Sequence, residues 1–156
     1  MADVPTLVEW MGGPARVDAL IQRFYERVPE DPLLEPLFRH MDSGHFRYVA
    51  LFISEVFRGP TSYSDKHGGH AHMIRKHLGK GITEEQRQHW VRLLLDTADE
   101  VGIPDDPEFR SAFVSYFEWG SRLAVLNSQP GAEIDTEQPM PKWGWGEVGG
   151  PYIETD

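Results

Sequence analysis

Apolar residues recur at intervals of three and four along most of the chain, a spacing that predicts amphipathic helices. The first of these stripes lies on Val17, Leu20, Ile21, Phe24 and Val28. Pro29 must end or kink this first helix. Later stripes predict helices that begin after Asp42 or Ser43, at Thr83 and at the segment 104–107. Because no stretch alternates apolar and polar residues as a strand would, the pattern predicts an all-α fold.

Local signals place the boundaries of these helices. Thr83–Gln86 is a capping-box pattern, and Asp31–Pro32 combines a capping acid with a proline suited to the first turn. The segment Pro104–Pro107 breaks the chain and caps the last long helix. Gly59–Pro60 stops the helix before it, and the polar segment 61–69 is expected to be rich in turns. A glycine at position 120 is expected to permit a close helix crossing.

The helical pattern ends at Asn127, so residues 1–128 are predicted to form one domain and residues 129–156 an extended C-terminal tail. The tail is rich in glycine, proline and acids, which does not favour a packed core of its own. Its aromatic residues Trp143 and Trp145 are expected to dock on the domain.

The composition excludes several classes of function. The 156 residues carry a formal charge of −10, from 25 acidic and 15 basic side chains, which argues against nucleic acid and anionic membranes as partners. The absence of cysteine excludes disulfides and thiolate metal sites. No apolar run is long enough for a membrane span, and no signal pattern begins the chain, so a cytoplasmic location is expected.

Four histidines crowd into segment 67–79, and neutral imidazole is the commonest metal ligand in proteins. None lies four residues from another, as a zinc pair on one helix requires. His67 and His70 are separated by two glycines, whereas His70 and His77 would be roughly 10 Å apart along a helix. A single histidine ligand to a planar iron cofactor fits this spacing, and a surface helix with solvated histidines fits it equally well.

With the other motifs in place, the sequence resembles the group II truncated haemoglobins, small haem-binding globins of bacteria, over roughly residues 5–128. The pieces that carry the resemblance are Arg23-Phe24-Tyr25, Asp31 to Phe38, Gly59-Pro60, Tyr63-Ser64, Gly69-His70, His77, Ile82 and Trp90. Arg58 departs from the family, which usually has glycine there. The resemblance implies a truncated globin fold, a two-over-two helical sandwich around haem.

The resemblance also implies the roles of individual residues. His77 would be the proximal ligand of the iron in haem b (iron protoporphyrin IX), and Tyr25, His45 and Trp90 would be the distal, potentially catalytic, groups. The residues expected to contact the cofactor are Phe38, Val49, Phe52, Tyr63, His70, Met73, Arg75, Lys76, His77 and Trp90. Tyr63 and the basic residues near His77, with His72 among the alternatives, would bind the propionates.

Such a protein is expected to bind dioxygen, carbon monoxide and nitric oxide, with a polar pocket that retains dioxygen tightly. Nitric oxide dioxygenase or peroxidase-like activity would need an external reductase, because the chain has no flavin- or nicotinamide-binding stretch. The alternative is a haem-free helical module that binds metal or another protein. The apolar patch Leu7, Trp10 and Met11, together with the tail, is expected to serve a homodimer contact.

Overall fold

The computed structural model of the protein describes residues 3–41, 44–132 and 139–146, and for residues 70 and 71 it describes the backbone alone. Within these ranges the regular structure is helical, as the sequence predicts. No helix there is long and apolar enough to cross a membrane. The helices are α1 (Leu7–Met11), α2 (Pro14–Arg27), α3 (Glu35–Phe38), α4 (His45–Val56), α5 (Ser62–His67), α6 (Gly69–His77), α7 (Glu84–Glu100) and α8 (Pro107–Asn127).

Four long helices form the frame. Helix α2 packs on α4, and α7 packs on α8, while contacts between α2 and α7 join the two pairs. This is the expected two-over-two arrangement, in which each pair buries its apolar stripe against the other. Phe24, Phe57, Phe113 and Phe117 are among the large side chains almost fully buried between the pairs. Burying each such ring stabilises the fold by about 1.5–3 kcal/mol.

The predicted helix boundaries agree with the capping geometry. Thr83 accepts a hydrogen bond from the backbone N–H of Gln86, whose side chain in turn accepts one from the Thr83 N–H. Asp106 accepts a hydrogen bond from the Phe109 N–H at the start of α8. Pro29 follows the end of α2 within a short 3₁₀ turn. Asp42 and Ser43, the expected caps of α4, lie outside the described residues.

The expectation of a turn-rich segment at 61–69 is wrong, because residues 62–67 form helix α5. Its first turn is held by the buried Glu55 of α4, which accepts hydrogen bonds from the backbone N–H and the hydroxyl of Ser64. Such a contact, nine residues back along the chain, cannot be read from local propensity. Gly68, at a φ of 88°, then separates α5 from α6, so His67 and His70 lie on different helices, as predicted.

Two other expectations change with the tertiary contacts. Leu7 and Met11 are at most 2% exposed, so these two members of the N-terminal patch belong to the core, and the homodimer stays a prediction. The nearest atoms to a Cβ built at Gly120 belong to Tyr116 of the same helix, at 3.2 Å. Gly120 therefore leaves room for the Tyr116 ring rather than for a crossing helix.

The described part of the tail, residues 139–146, docks on the domain as predicted. The backbone N–H of Trp143 donates to the Val56 carbonyl at 2.7 Å, and the Trp145 indole donates to the Pro5 carbonyl at 2.8 Å. Trp145 also meets Trp10 edge to face, with ring centroids 5.5 Å apart. Residues 133–138 and 147–156 of the tail lie outside the described residues, and the proposed domain boundary stays a prediction.

Candidate functional site

A cavity of about 600 Å³ opens between the two helix pairs and helix α6. This volume lies within the range of about 300–1,000 Å³ typical of small-molecule sites. Most of the expected site residues meet there, although they come from five helices. Those that line it are Tyr25, Phe38, His45, Val49, Phe52, Met73, Lys76, His77 and Trp90.

Tyr25 projects from α2 into this cavity, at the edge of the stripe that forms the core. Its ring meets those of Phe38 and His45 edge to face, with centroids 5.6 and 5.8 Å apart. Burial raises the pKa of the Tyr25 hydroxyl, and the neighbouring Trp90 indole acts in the opposite direction. The phenol therefore stays protonated at physiological pH and can donate a hydrogen bond.

His45, Val49 and Phe52 share one face of α4, because they are spaced by four and three residues. All three line the cavity. His45 is the first residue of the helix, so its imidazole lies at the rim formed with Tyr25. The three residues that this spacing places on one face therefore form one wall of the cavity. The His45 imidazole lies at the start of that wall, and the apolar side chains of Val49 and Phe52 follow it along α4.

Trp90 contributes a third polar group from the second turn of α7. Its ring packs on Phe24 and Phe117, with ring centroids 5.2 and 6.0 Å apart. Part of the Trp90 side chain also lines the cavity. An indole carries its N–H donor on an otherwise apolar body. Trp90 therefore combines a core role with an edge on the cavity.

His77 lines the cavity at the end of α6, and its orientation is set within its own helix. Its Nδ1 atom lies 3.0 Å from the Met73 carbonyl oxygen. A metal-binding histidine characteristically donates its second ring N–H to such an acceptor, which leaves Nε2 as the ligand atom. Met73 lines the cavity as well, so one residue both orients the imidazole and contributes apolar surface.

Two of the expected cofactor contacts, Tyr63 and Arg75, do not join this lining. Tyr63 is 1% exposed and packs behind Phe52, with ring centroids 5.2 Å apart. Burial and the Glu55 charge raise its pKa to about 12. Arg75 is exposed on α6 outside the cavity wall, and the side chain of His70 lies outside the described residues.

The structure adds lining residues that the sequence did not single out. Lys80, in the loop after α6, lines the cavity beside Lys76. Helix α8 contributes Tyr116, and burial raises the pKa of its hydroxyl. The apolar stripe of α8 predicted a buried helix, but only the packing shows which members of the stripe face the cavity. The others on this wall are Phe117, Trp119, Gly120, Leu123 and Ala124.

The donor set suits a planar iron cofactor with an apolar ring and anionic edges. One histidine with an anchored Nδ1 faces apolar and aromatic walls, and Lys76 and Lys80 provide positive charge. Among the residues that the structure describes, no three His, Asp or Glu side chains cluster as ligands of a metal ion. Fold and site together define an α-helical protein of the globin class.

Comparison with known proteins gives the family. The bacterial-like globin family model matches residues 6–118, and the chain belongs to this family as a truncated haemoglobin of group II. It is 33% identical to the group 2 truncated haemoglobin YjbI of Bacillus subtilis over 117 residues, which cover 75% of this chain and 86% of that protein. Membership implies a haem cofactor and the binding of small gaseous ligands such as oxygen.

Solved structures agree with this assignment. The haemoglobin of the thermophilic phototroph Chloroflexus aurantiacus is 30% identical and has a TM-score of 0.69, with 78% of this chain and 98% of that chain covered. The truncated oxygen-avid haemoglobin of Bacillus subtilis is 29% identical and has a TM-score of 0.68, with 78% and 99% covered. In both cases the match covers nearly the full length of the other protein.

Proposed function

We propose that this chain is a haem b protein in which His77 is the proximal iron ligand and Tyr25, His45 and Trp90 are the distal hydrogen-bond donors. One observation carries the proposal: these three polar groups, from α2, α4 and α7, line the same cavity as His77. The packing of an apolar core does not require a phenol, an imidazole and an indole N–H around one cavity.

When bound, haem supplies a ferrous iron that can take dioxygen, carbon monoxide or nitric oxide as a ligand. Phe38, Val49, Phe52 and Met73 would bury the apolar ring. Lys76 and Lys80 are the best supported partners of the propionates, because both line the cavity and carry positive charge. Arg75 and Tyr63 would then act from outside this wall, and His70, whose side chain lies outside the described residues, stays an expected contact.

The distal residues would stabilise a ligand that carries partial negative charge. Tyr25, kept protonated by burial, donates from its hydroxyl, and the indole N–H of Trp90 and the imidazole N–H of His45 add further donors. Such bonds are strong in a cavity that excludes water. We therefore propose tight retention of dioxygen, and the similarity to the oxygen-avid haemoglobin of Bacillus subtilis supports this proposal.

Tight retention suits redox chemistry better than rapid delivery. We propose oxidation of nitric oxide by dioxygen, or peroxide-dependent oxidation, as the reactions to test. Both require electrons from an external reductase. The Tyr25 hydroxyl and the two distal N–H groups would orient the small substrate in either reaction.

The absorption spectrum of the purified protein tests the proposal directly. A Soret band that shifts with carbon monoxide after reduction is expected. In His77→Gly the band should be lost and should return when imidazole is supplied. His72→Gly is the matched control, because His72 lies on the same helix but not on the cavity wall. A colourless protein after haem reconstitution would leave a haem-free helical module.

A further inference from the structure

The formal charge of this acidic protein is unevenly distributed along the chain. Residues 62–82, here called the basic segment, carry four basic side chains and one acidic side chain, whereas the whole protein has a charge of −10. The segment consists of α5, α6 and the loop that follows, so it includes the proposed iron ligand His77. The rest of the chain is therefore even more acidic than the total suggests.

The positive charges of this segment are not neutralised within the described parts of the chain. Ion pairs there connect acids to basic residues of α2, α7 and α8 and to Arg39, and none involves Lys66, Arg75, Lys76 or Lys80. All four of these side chains are exposed. The pKa of the nearby His72 is lowered, first by burial and then by the charges of Lys76 and Arg75.

The dipole of α6 and the proposed propionates explain only part of the positive charge of the basic segment. Basic residues in the last turn of α6 interact favourably with the helix dipole. Lys76 and Lys80 line the cavity, so the proposed propionates would account for them. Lys66 ends another helix, and neither Lys66 nor Arg75 lines the cavity. Two exposed positive charges therefore remain beside the cavity without a counter-charge among the described residues.

We infer that the basic segment is the docking surface of an acidic one-electron donor protein, an inference that rests on the haem function proposed above. Leu78 is 46% exposed within the segment and supplies the apolar centre that weak electron-transfer contacts combine with surrounding charge. The acidic remainder of the molecule repels an acidic partner elsewhere, and so steers it onto the basic segment.

The chemistry of the inferred contact is a single electron transfer. One electron would leave the reduced redox centre of the donor, which would become oxidised, and ferric haem iron held by His77 would become ferrous. No bond forms or breaks and no proton is needed. Docking beside α6 shortens the distance because this helix carries the proposed ligand His77. DNA or an anionic membrane is a poorer fit, since an extended polyanion would also face the acidic remainder.

Binding and reduction can be measured with a plant-type ferredoxin as the acidic probe. The Kd for oxidised ferredoxin is measured by calorimetry, and the second-order rate of reduction by reduced ferredoxin is followed at the Soret band, both at several salt concentrations. Lys66→Glu is compared with Arg92→Glu, which makes the same change in net charge at an exposed position on α7.

We expect Lys66→Glu to slow reduction by ferredoxin roughly tenfold at low salt, with the difference lost at high salt. Arg92→Glu should change the rate less than twofold, and reduction by dithionite should be the same in all variants. Equal effects of Lys66→Glu and Arg92→Glu, or a rate without salt dependence, would overturn the inference. The inference would also be overturned if duplex DNA or phosphatidylglycerol vesicles bound with the same dependence on Lys66.

Different results would overturn the proposed haem function and the inferred docking surface. Absence of a Soret band overturns the haem function, and the calorimetric binding of ferredoxin, which needs no haem, still decides whether the basic segment is a docking surface. A normal Soret band with charge-independent ferredoxin kinetics overturns the docking surface alone.

Discussion

Arg58 has a backbone conformation that ordinarily belongs to glycine, with a φ of 76°. It lies just after α4, where its N–H donates to the Glu55 carbonyl and the Gly59 N–H donates to the Ser54 carbonyl. A left-handed residue at this point is a common way to end a helix. The glycine usual in the resembling family therefore has a physical reason, and this chain retains the geometry with an arginine at a cost of about 1–2 kcal/mol.

At the same scale, Tyr25 and its distal neighbours show how a boundary residue becomes a site. In the sequence Tyr25 is one position from the core residue Phe24, and a solvent-exposed hydroxyl would be the ordinary expectation. The structure instead gives it two aromatic neighbours and a raised pKa within a cavity.

Replacement of Tyr25 by phenylalanine should increase the oxygen dissociation rate. A hydrogen bond to a group carrying charge contributes about 1.5–3 kcal/mol, so the rate should rise roughly tenfold to hundredfold. Stopped-flow displacement of oxygen by carbon monoxide measures it. Tyr48→Phe is the matched control, because Tyr48 is 45% exposed and does not line the cavity. An unchanged rate in Tyr25→Phe would remove Tyr25 from the proposed donors.

At the scale of elements, α7 shows how one end of a helix ties two layers together. Glu84 in its first turn accepts hydrogen bonds from Arg87 of the same helix and from Arg122 of α8. The hydrogen bond from Arg87 is the main cause that lowers the pKa of Glu84 from 4.5 to about 2, with the Arg122 charge adding to it. The first turn of α7 and its contact with α8 thus share one carboxylate.

This lowered pKa predicts a specific pH dependence of stability. A carboxyl group that is more acidic when folded contributes stability above its unfolded pKa, near 4.5, and loses it as the pH falls towards 2. Glu84→Gln should therefore lower the Tm at pH 7, and the difference from the unmodified protein should vanish near pH 2. Glu85→Gln, in the same turn but without a described ion pair, should show a smaller difference. A difference for Glu84→Gln that persists near pH 2 would contradict the role of its charge.

At the scale of the whole molecule, residues 139–146 of the tail connect two parts of the domain that are distant in sequence. They contact the backbone of α4 through Trp143 and the Pro5 carbonyl, in the segment before α1, through Trp145. Trp143 also meets Tyr116, itself a cavity-lining residue, with ring centroids 5.3 Å apart. The described part of the tail therefore contacts α8 through aromatic rings, so single substitutions should report on it.

Trp145→Ala should destabilise the protein by about 2 kcal/mol, because the ring is only partly buried and a fully buried tryptophan costs about 3–5 kcal/mol when truncated. Trp145→Phe should cost about 1 kcal/mol, since it loses mainly the hydrogen bond to the Pro5 carbonyl. Urea unfolding measures both. The control is Leu126→Ala, at a position 53% exposed, for which a change below about 0.5 kcal/mol is expected. Equal stability of all three variants would show that the tail does not support the domain.

The sequence by itself determined the helical class and most helix boundaries. Hydrophobic periodicity, the Thr83 capping box and the Asp106 cap act over a few residues, so they can be read without tertiary contacts. The resemblance to truncated globins added His77, Tyr25 and Trp90 as a set, which spacing alone left as one interpretation among several.

Only the tertiary structure decided which residues meet. Helix α5 depends on Glu55 from another helix, Leu7 and Met11 are buried by the rest of the chain, and Lys80 and Tyr116 reach the cavity through packing. The physical reason is common to all of these cases: helix propensity and capping are local, whereas burial and cavity shape depend on residues distant in the chain. Periodicity shows that a helix has a buried face, and only packing selects which part of that face borders the cavity.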